Sequence, residues 1–240
     1  MKKNILTKIF AINNIPLNDL QIQQFLLYYE LLIKTNEKFN LTAITLFEEV
    51  AQKHFVDSVI NYAHFAENSS LCDIGSGAGF PAIPLKIMRP DMSIVAVDSL
   101  NKRVDFINAT INELKLNNIK AIHTRAQELQ QILPRESFDY VTARAVAELR
   151  ILSELCSPYV KINGEFIALK GNKVDGEIEN CRHAISVLGL ASPVVKDFQI
   201  KSLNNEKFPT QSRKILYLKK LKTTPLEYPR PKNKITQKPL

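Results

Sequence analysis

The chain has 240 residues, a hydrophobic content of 45% and a formal net charge of +8. These values are ordinary for a soluble globular protein with room for one sizeable α/β domain and a small extension. No apolar run approaches the roughly 18 residues of a membrane span, and Lys8 interrupts the apolar stretch that a signal peptide needs. We therefore expect a cytoplasmic protein with no membrane anchor.

The cysteines and histidines give no sign of a metal site. Three cysteines are odd in number and lack the C-x-x-C spacing. The four histidines are scattered, with no cysteine or acidic partner at the spacing of metal ligands. We expect buried thiols in a reducing compartment and no bound metal.

The first 66 residues show helical periodicity without a strand pattern. An apolar stripe over residues 17–38 predicts an amphipathic helix, and Asn18 with Gln21 resembles a capping pair. Residues 45–48 (TLFE) have the pattern of a capping box, which predicts a second helix ending near Phe65. His54 lies on the apolar side of that helix, and we interpret it as a packing residue. Residues 1–66 are therefore predicted to form an N-terminal helical extension.

From Ser70 onward, short β-branched runs alternate with helical segments. The predicted strands are 71–74, 93–97, 119–123, 138–142 and 164–169, and the predicted helices are 81–89, 101–115, 126–132, 146–159 and 173–187. This alternation predicts a parallel sheet with right-handed crossovers. Two further strand-like runs, 193–200 and 213–218, have no helix between them and predict a closing antiparallel hairpin. We expect a Rossmann-like, doubly wound α/β sheet, mostly parallel, over residues 67–222.

The positive charge is concentrated at the end of the chain. Nine basic residues stand against one acid between Arg213 and Leu240, whereas the first 212 residues are formally neutral. Residues 223–240 also contain four prolines, so we expect a flexible basic tail. Such a tail either improves solubility or contacts the phosphates of a nucleic acid, since lysine and arginine release counterions from a polyanion.

A glycine-rich turn follows the first predicted strand. Gly75, Gly77 and Gly79 alternate after Asp73, and the second strand ends at Asp98, roughly 20 residues further on. Glycines allow a sharp turn and close approach of a ligand, while an acid at the end of the second strand can bind both hydroxyls of a ribose. Dinucleotide sites have G-x-G-x-x-G instead. The G-x-G-x-G spacing beneath an acid resembles the first motif of S-adenosylmethionine-dependent methyltransferases, whose cofactor is cationic and carries no phosphate.

Other polar residues follow the later strands. They are Ala126, Gln127 and Glu128 after the third strand, Arg144 and Ala145 after the fourth, and Lys170 and Gly171 after the fifth. Ligands of parallel sheets bind at the carboxyl ends of the strands. An Ala126 amide beside Gln127 could contact an adenine edge, and Arg144 or Lys170 could hold a carboxylate or a phosphate. Any one of these residues could instead belong to an exposed loop.

Several motifs together resemble one family. They are 40–44 (NLTAI), 53–57 (KHFVD), 73–84 (DIGSGAGFPAIP), 98–103 (DSLNKR), 138–145 (FDYVTARA), 168–171 (ALKG) and 238–240 (KPL). This set is similar to the RsmG family, also called glucose-inhibited division protein B, of bacterial small-subunit ribosomal RNA guanine-N7 methyltransferases. The resemblance covers nearly the whole chain. It implies that the chain binds S-adenosylmethionine and acts on 16S ribosomal RNA or the small ribosomal subunit. We expect a monomer.

By the same resemblance, five residues fall on cofactor-binding positions: Gly75, Phe80, Ala126, Gln127 and Arg144. With Asp73, Gly77, Gly79 and Asp98 from the glycine turn and the second strand, they make up the predicted cofactor site. Gln127 departs from the family pattern, which usually has an acid there.

The absence of an obvious general base agrees with a guanine N7 acceptor. N7 carries an in-plane lone pair and no proton, so positioning of the two reactants supplies most of the acceleration. Neither Cys72 nor Cys156 lies at a strand end, where a pyrimidine C5 methyltransferase needs its nucleophile. No residue is identified as catalytic, and Arg144 and Lys170 are the candidates for orienting the base.

Three alternatives stay open from the sequence. One is a nicotinamide dehydrogenase, which the glycine spacing, Asp73 and the closing hairpin oppose. Another is a non-catalytic RNA-binding module, which the intact glycine turn and Asp98 oppose. The third is a methyltransferase that acts on another RNA, a protein or a small molecule. The basic tail opposes the protein and small-molecule acceptors and leaves another RNA open.

Overall fold

A computed structural model of the chain describes residues 1–144, 147–172 and 174–240. The strands are β1 (Ser70–Ile74), β2 (Ser93–Asp98), β3 (Ile119–His123), β4 (Phe138–Arg144), β5 (Val160–Lys170), β6 (Val194–Ile200) and β7 (Gln211–Lys219). Within these described residues the seven strands form one sheet in the order β3-β2-β1-β4-β5-β7-β6. The pairs from β3 to β5 are parallel, and β7 pairs antiparallel with both β5 and β6. The predicted Rossmann-like sheet with a closing antiparallel hairpin is therefore confirmed.

The helices lie before the sheet, between its strands and at the end of the chain. They are α1 (Lys2–Ile12), α2 (Asp19–Asn36), α3 (Phe47–Val50), α4 (Asp57–Val59), α5 (Ala82–Met88), α6 (Asn101–Glu113), α7 (Leu149–Cys156), α8 (Asp175–Asn180), α9 (Arg182–Val187) and α10 (Lys232–Gln237). A wider π-helical turn over Ala51–Val56 joins α3 to α4. Such turns are rare and are found mostly at functional sites.

The sequence pattern predicted some helix starts correctly and others incorrectly. The capping pair of α2 is confirmed, because Asn18 and Gln21 exchange hydrogen bonds between side chain and backbone. The capping box at 45–48 is wrong: Leu46 is the N-cap residue of α3, and no side chain caps that helix. Helix α1 was not predicted at all. Its apolar residues Leu6, Ile9 and Phe10 are buried against the rest of the protein, and this tertiary contact is invisible in local pattern.

Three predicted helices are shorter or interrupted. Residues 126–131 form a 3-10 turn, and the segment predicted as 146–159 is α7 followed by a 3-10 turn with a proline. The segment predicted as 173–187 is divided into α8 and α9 at Cys181. The predicted starts of those two helices, Val146 and Lys173, lie outside the described residues, as does Ala145 of the fourth strand end.

The sheet separates two hydrophobic cores because side chains of a strand point alternately to its two faces. On β5, Ile167 and Leu169 pack with the N-terminal helices and α5, whereas Phe166 and Ala168 pack with α7 and α9. The N-terminal segment therefore shares one face of the sheet with α5 and α6. The divisions of the chain at residues 66 and 222 remain predictions.

The expectation of a flexible tail over residues 223–240 is wrong. Tyr228 and Ile235 are buried in the second core, where they pack with the α7 side of the sheet. The Arg135 guanidinium donates hydrogen bonds to backbone carbonyls of this segment, including those of Thr224 and Pro225 at 2.9 and 3.2 Å. The proline and charge content predicted disorder. Instead, the buried Tyr228 and Ile235 and the hydrogen bonds from Arg135 hold the segment against the rest of the protein.

Candidate active site

The glycine turn after β1 has a backbone that glycine alone adopts without strain. The φ angles of Gly75, Gly77 and Gly79 are +79°, +60° and +95°, all in the left-handed region. The Gly75 and Ser76 amides donate to the Val97 carbonyl on β2, at 2.8 and 3.0 Å. These bonds hold the turn against the end of β2. A Cβ added at Gly77 would meet no atom within 4 Å, so bare backbone faces open space there.

Asp98 connects the turn to the second strand. Its Oδ2 accepts the Gly77 amide at 2.9 Å, its Oδ1 accepts the Leu100 amide at 2.9 Å, and Arg103 Nη1 lies 3.5 Å from Oδ2. A carboxylate offers about four lone-pair sites, so capacity remains for a ligand. The structure thus holds Asp98 rigidly at the position predicted to bind a ribose.

Asp73 lies beneath the turn and is fully buried. The Thr142 hydroxyl donates to its Oδ1 at 3.2 Å. Burial raises the pKa of Asp73 from 3.8 to about 6, and hydrogen bonds and the Arg144 charge act in the opposite direction. At neutral pH the carboxyl is still mainly ionised, so the turn rests on a buried negative charge.

Replacing Asp73 with asparagine is expected to remove a specific pH dependence of stability. A carboxyl whose pKa is raised on folding takes up a proton between pH 4 and 6, so the free energy of unfolding falls as pH rises through that window. The fall attributable to Asp73 is about 2–3 kcal/mol, and Asp73→Asn should lack it. Urea denaturation from pH 4 to 7 measures the pH dependence of the free energy of unfolding for the wild-type protein and for Asp73→Asn.

Asp91→Asn is the matched control for that measurement. Hydrogen bonding to the Arg89 guanidinium holds the pKa of Asp91 well below its usual range. Its stabilising effect is therefore fully present from pH 4 to 7 and is lost only below about pH 4. Asp91→Asn should lower the free energy of unfolding by a constant amount across the measured range and leave its pH dependence as in the wild type. Equal slopes for the wild-type protein and Asp73→Asn would contradict the assignment.

Two cavities meet at the glycine turn. The first, which we call the Asp98 cavity, has a volume of about 620 Å³. Its lining includes five predicted cofactor residues, which are Gly75, Asp98, Ala126, Gln127 and Arg144. Asp73 and Gly79 line neither cavity. A Cβ at Gly79 would come within 2.6 Å of Ile83, so this glycine is required for packing.

The second cavity, which we call the basic cavity, has a volume of about 500 Å³. Four cationic side chains line it: Lys53, Arg144, Lys170 and Arg213. Gly77 and Phe80 also line it, and Gly75 and Arg144 are shared with the Asp98 cavity. The predicted site residues are thus divided between two adjoining cavities.

Asp57 holds two of the arginines in place. Its Oδ2 lies 3.1 Å from Arg144 Nη1, and its Oδ1 accepts a 2.9 Å hydrogen bond from Arg213 Nε. The Arg144 guanidinium also lies 5.2 Å from the centre of the Phe80 ring. Both oxygens of the only carboxylate among the residues lining the basic cavity are therefore occupied by arginines.

His54 is a neutral wall of the basic cavity. Its ring stacks on Phe80 at 4.6 Å, and its Nε2 lies 2.8 Å from the Thr42 hydroxyl. Burial, with a smaller contribution from the Arg144 charge, lowers the pKa of His54 to about 4. The packing role predicted from the sequence agrees with these contacts, although the ring also faces the cavity.

Lys170 reaches the basic cavity from the end of β5. Its Nζ lies 2.7 Å from Glu177 Oε2 and donates to the Ala147 carbonyl at 2.8 Å. The same Glu177 oxygen accepts the Leu149 amide at 2.7 Å. These contacts hold the Lys170 ammonium group in a defined position.

Sequence reasoning missed Lys53, Asp57 and Arg213 as parts of the site. Lys53 and Asp57 belong to the 53–57 motif, which was noted for its resemblance and given no role. Lys53 and His54 lie within the π-helical turn, whose wider spacing breaks the helical period used to assign faces. Arg213 lies on β7, as the strand-like run 213–218 predicts, but only the tertiary structure brings it to Asp57 in the basic cavity.

Three other features of the described residues bear on the sequence predictions. No described helix is long and apolar enough to cross a membrane. Nowhere in residues 1–144, 147–172 and 174–240 do three or more His, Cys, Asp or Glu side chains gather as metal ligands would. The three cysteines are buried free thiols.

Comparison with known proteins gives matches to sequence and to fold. A family model described as rRNA small subunit methyltransferase G (GidB) matches residues 21–206. Proteins named Ribosomal RNA small subunit methyltransferase G from Staphylococcus aureus strains Newman and USA300 are each 46% identical over 220 residues, which is 91% of this chain and 90% of theirs.

Among solved structures, two resemble this fold at low identity. Precorrin-6y C5,15-methyltransferase from Geobacter metallireducens GS-15 has a TM-score of 0.53 and 14% identity, over 76% of this chain and 91% of that one. M. jannaschii TYW2 in complex with AdoMet has a TM-score of 0.52 and 15% identity, over 69% and 77%. At such identities these two matches bear on the fold alone.

Proposed function

Because this chain belongs to the rRNA small subunit methyltransferase G family, we propose that it transfers a methyl group from S-adenosylmethionine to N7 of a guanine in 16S ribosomal RNA. The observation that carries this proposal is the meeting of the Asp98 cavity and the basic cavity at Gly75 and Arg144. One cavity suits a nucleoside cofactor and the other an anionic acceptor. Their junction is where donor and acceptor would come together.

The Asp98 cavity fits the cofactor. Gly75 of the glycine turn lines it, and the Gly77 amide holds the Asp98 carboxylate in place at 2.9 Å. Asp98 would bind the ribose hydroxyls, and Ala126 with Gln127 would border the adenine. When bound, S-adenosylmethionine supplies an electrophilic methyl group on a sulfonium. The buried Asp73 carboxylate beneath the turn favours such a cationic ligand and disfavours a pyrophosphate.

The basic cavity fits a nucleotide of the RNA. Lys53, Lys170 and Arg213 provide cations for phosphate oxygens, whereas Arg144 lies at the border with the Asp98 cavity. A base inside the cavity would lie near the stacked His54 and Phe80 rings. A volume of about 500 Å³ is in the range of small-molecule sites, which favours a single unstacked nucleotide.

The side chains around the basic cavity support an acceptor that needs no general base. Asp57 is engaged by two arginines, and His54 has a pKa of about 4, which makes it a weak base. Guanine N7 needs no deprotonation. The role of this chain is then to orient the base, exclude water and fix the two reactants in line. Arg144 and Lys170 are the orienting residues in this proposal, and no residue is assigned as a proton acceptor.

The proposal includes the RNA substrate, the oligomeric state and the cellular location. The substrate is 16S ribosomal RNA, free or within the small ribosomal subunit, and the enzyme works as a cytoplasmic monomer. The surface around the basic cavity provides positive charge for the surrounding RNA phosphates.

Methyl transfer to unmethylated small-subunit ribosomal RNA is the direct test. We expect label from S-adenosylmethionine to appear as 7-methylguanosine after nuclease digestion and nucleoside analysis. RNA already methylated at the site is the control and should accept no label. Label in another nucleoside, or in protein or small molecules of a cell extract but not in RNA, would favour the alternative acceptors.

A further inference from the structure

The C-terminal segment, residues 223–240, extends to the rim of the Asp98 cavity. Lys232, the first residue of α10, lines that cavity together with Asp98 and Gln127. It also lines a neighbouring groove of about 820 Å³ between α10 and residues 125–130. Arg125 and Gln127 line both cavities as well. Lys232 is thus part of the boundary between the cofactor cavity and the outer groove.

The segment around Lys232 is anchored on both sides. Before it, Arg230 is bound to the fully buried Glu154 through Nε at 2.8 Å and Nη2 at 2.6 Å. The Arg230 amide donates to the same carboxylate at 2.8 Å. After it, Ile235 is 1% exposed in the second core, one helical turn from Lys232. The backbone of Lys232 is therefore fixed relative to the cavity.

The Lys232 ammonium has no ion-pair partner within the described residues. An ammonium group carries three donors and no acceptor. Asp98 and Gln127, which line the same cavity, are the residues proposed for the ribose and the adenine edge. Ring nitrogens of adenine and ribose oxygens are hydrogen-bond acceptors.

We propose that Lys232 is a cofactor-binding residue, held by the C-terminal segment so that its ammonium donates to the nucleoside end of S-adenosylmethionine. This proposal rests on the proposed function, because it takes the Asp98 cavity as the cofactor site. It assigns residues 223–240 a part in the cofactor site, whereas the sequence indicated only solubility or RNA contact.

The test compares Lys232→Met with Lys234→Met. Both lysines are exposed residues of α10, but only Lys232 lines the Asp98 cavity within the described chain. Calorimetric titration would use S-adenosylmethionine, S-adenosylhomocysteine and 5′-methylthioadenosine, which lacks the amino-acid end. We expect Lys232→Met to weaken all three by about 3- to 10-fold, and Lys234→Met to stay within about twofold of the wild type. Lys232→Arg should recover part of the affinity.

Kinetics with RNA separate cofactor binding from other roles. Lys232→Met should raise KM for S-adenosylmethionine and leave kcat unchanged, because the nucleoside end is away from the reacting atoms. Unchanged affinity for all three ligands, or a loss confined to RNA binding, would overturn the proposal. Tighter binding of S-adenosylmethionine alone would also overturn it, because the lysine would then act on the sulfonium. Failure of the wild-type protein to bind S-adenosylmethionine would instead refute the proposed function.

Discussion

Gly77→Val is expected to abolish cofactor binding and methyl transfer while circular dichroism stays near that of the wild type. Gly77 has a φ of +60°, which a β-branched residue does not adopt without strain of about 1–3 kcal/mol. Relief of that strain would move the amide that donates to Asp98. The valine side chain would also enter the open space over the turn. We expect affinity for S-adenosylmethionine to fall by at least about 100-fold, since contacts at both the turn and Asp98 are lost.

Gly176→Ala provides the control for this substitution. Gly176 lies in the exposed helix α8, a Cβ there meets no atom within 4 Å, and its φ is not in the left-handed region. The Gly176→Ala variant should bind the cofactor as the wild type does. Normal cofactor binding by Gly77→Val would show that the turn is not where the ligand approaches. Titration with nicotinamide dinucleotide belongs to the same experiment, and saturable binding of it alone would support a dehydrogenase.

Arg230→Met is expected to destabilise the fold by about 2–3 kcal/mol. Glu154 is fully buried on α7 and has Arg230 as its guanidinium partner, with three hydrogen bonds from that one residue. Removal of the guanidinium leaves a buried carboxylate without its counter-ion. The cost is placed below that of a fully buried pair because the Arg230 side chain is 20% exposed. Chemical denaturation at neutral pH measures the change.

A double variant distinguishes the lost charge pair from lost packing. Arg230→Met with Glu154→Leu places apolar groups on both sides and should recover most of the stability. If the double variant is as unstable as Arg230→Met, the loss comes from packing of the C-terminal segment. No loss in Arg230→Met would mean that the Arg230–Glu154 pair contributes nothing to the stability of the fold.

The sequence by itself determined the fold class and the centre of the site. Gly75, Gly77 and Gly79 were predicted from local backbone requirements, and all three have positive φ. The strand and helix periods predicted the order of the elements. Because parallel strands expose their carboxyl ends on one edge, that order was enough to bring Asp98, Ala126, Arg144 and Lys170 to neighbouring cavities. The roles of these residues as ligands of a cofactor remain proposals.

Tertiary structure alone decided what surrounds that centre. Asp57 lies 87 residues from Arg144 and 156 from Arg213 along the chain, and no local period reports such a contact. The same is true of Arg230 and Glu154, 76 residues apart, whose pairing orders a segment that composition marked as disordered. The altered pKa values of Asp73 and His54 arise from burial. Local pattern encodes backbone preference and the direction of side chains, whereas long-range pairing and desolvation depend on which distant surfaces pack together.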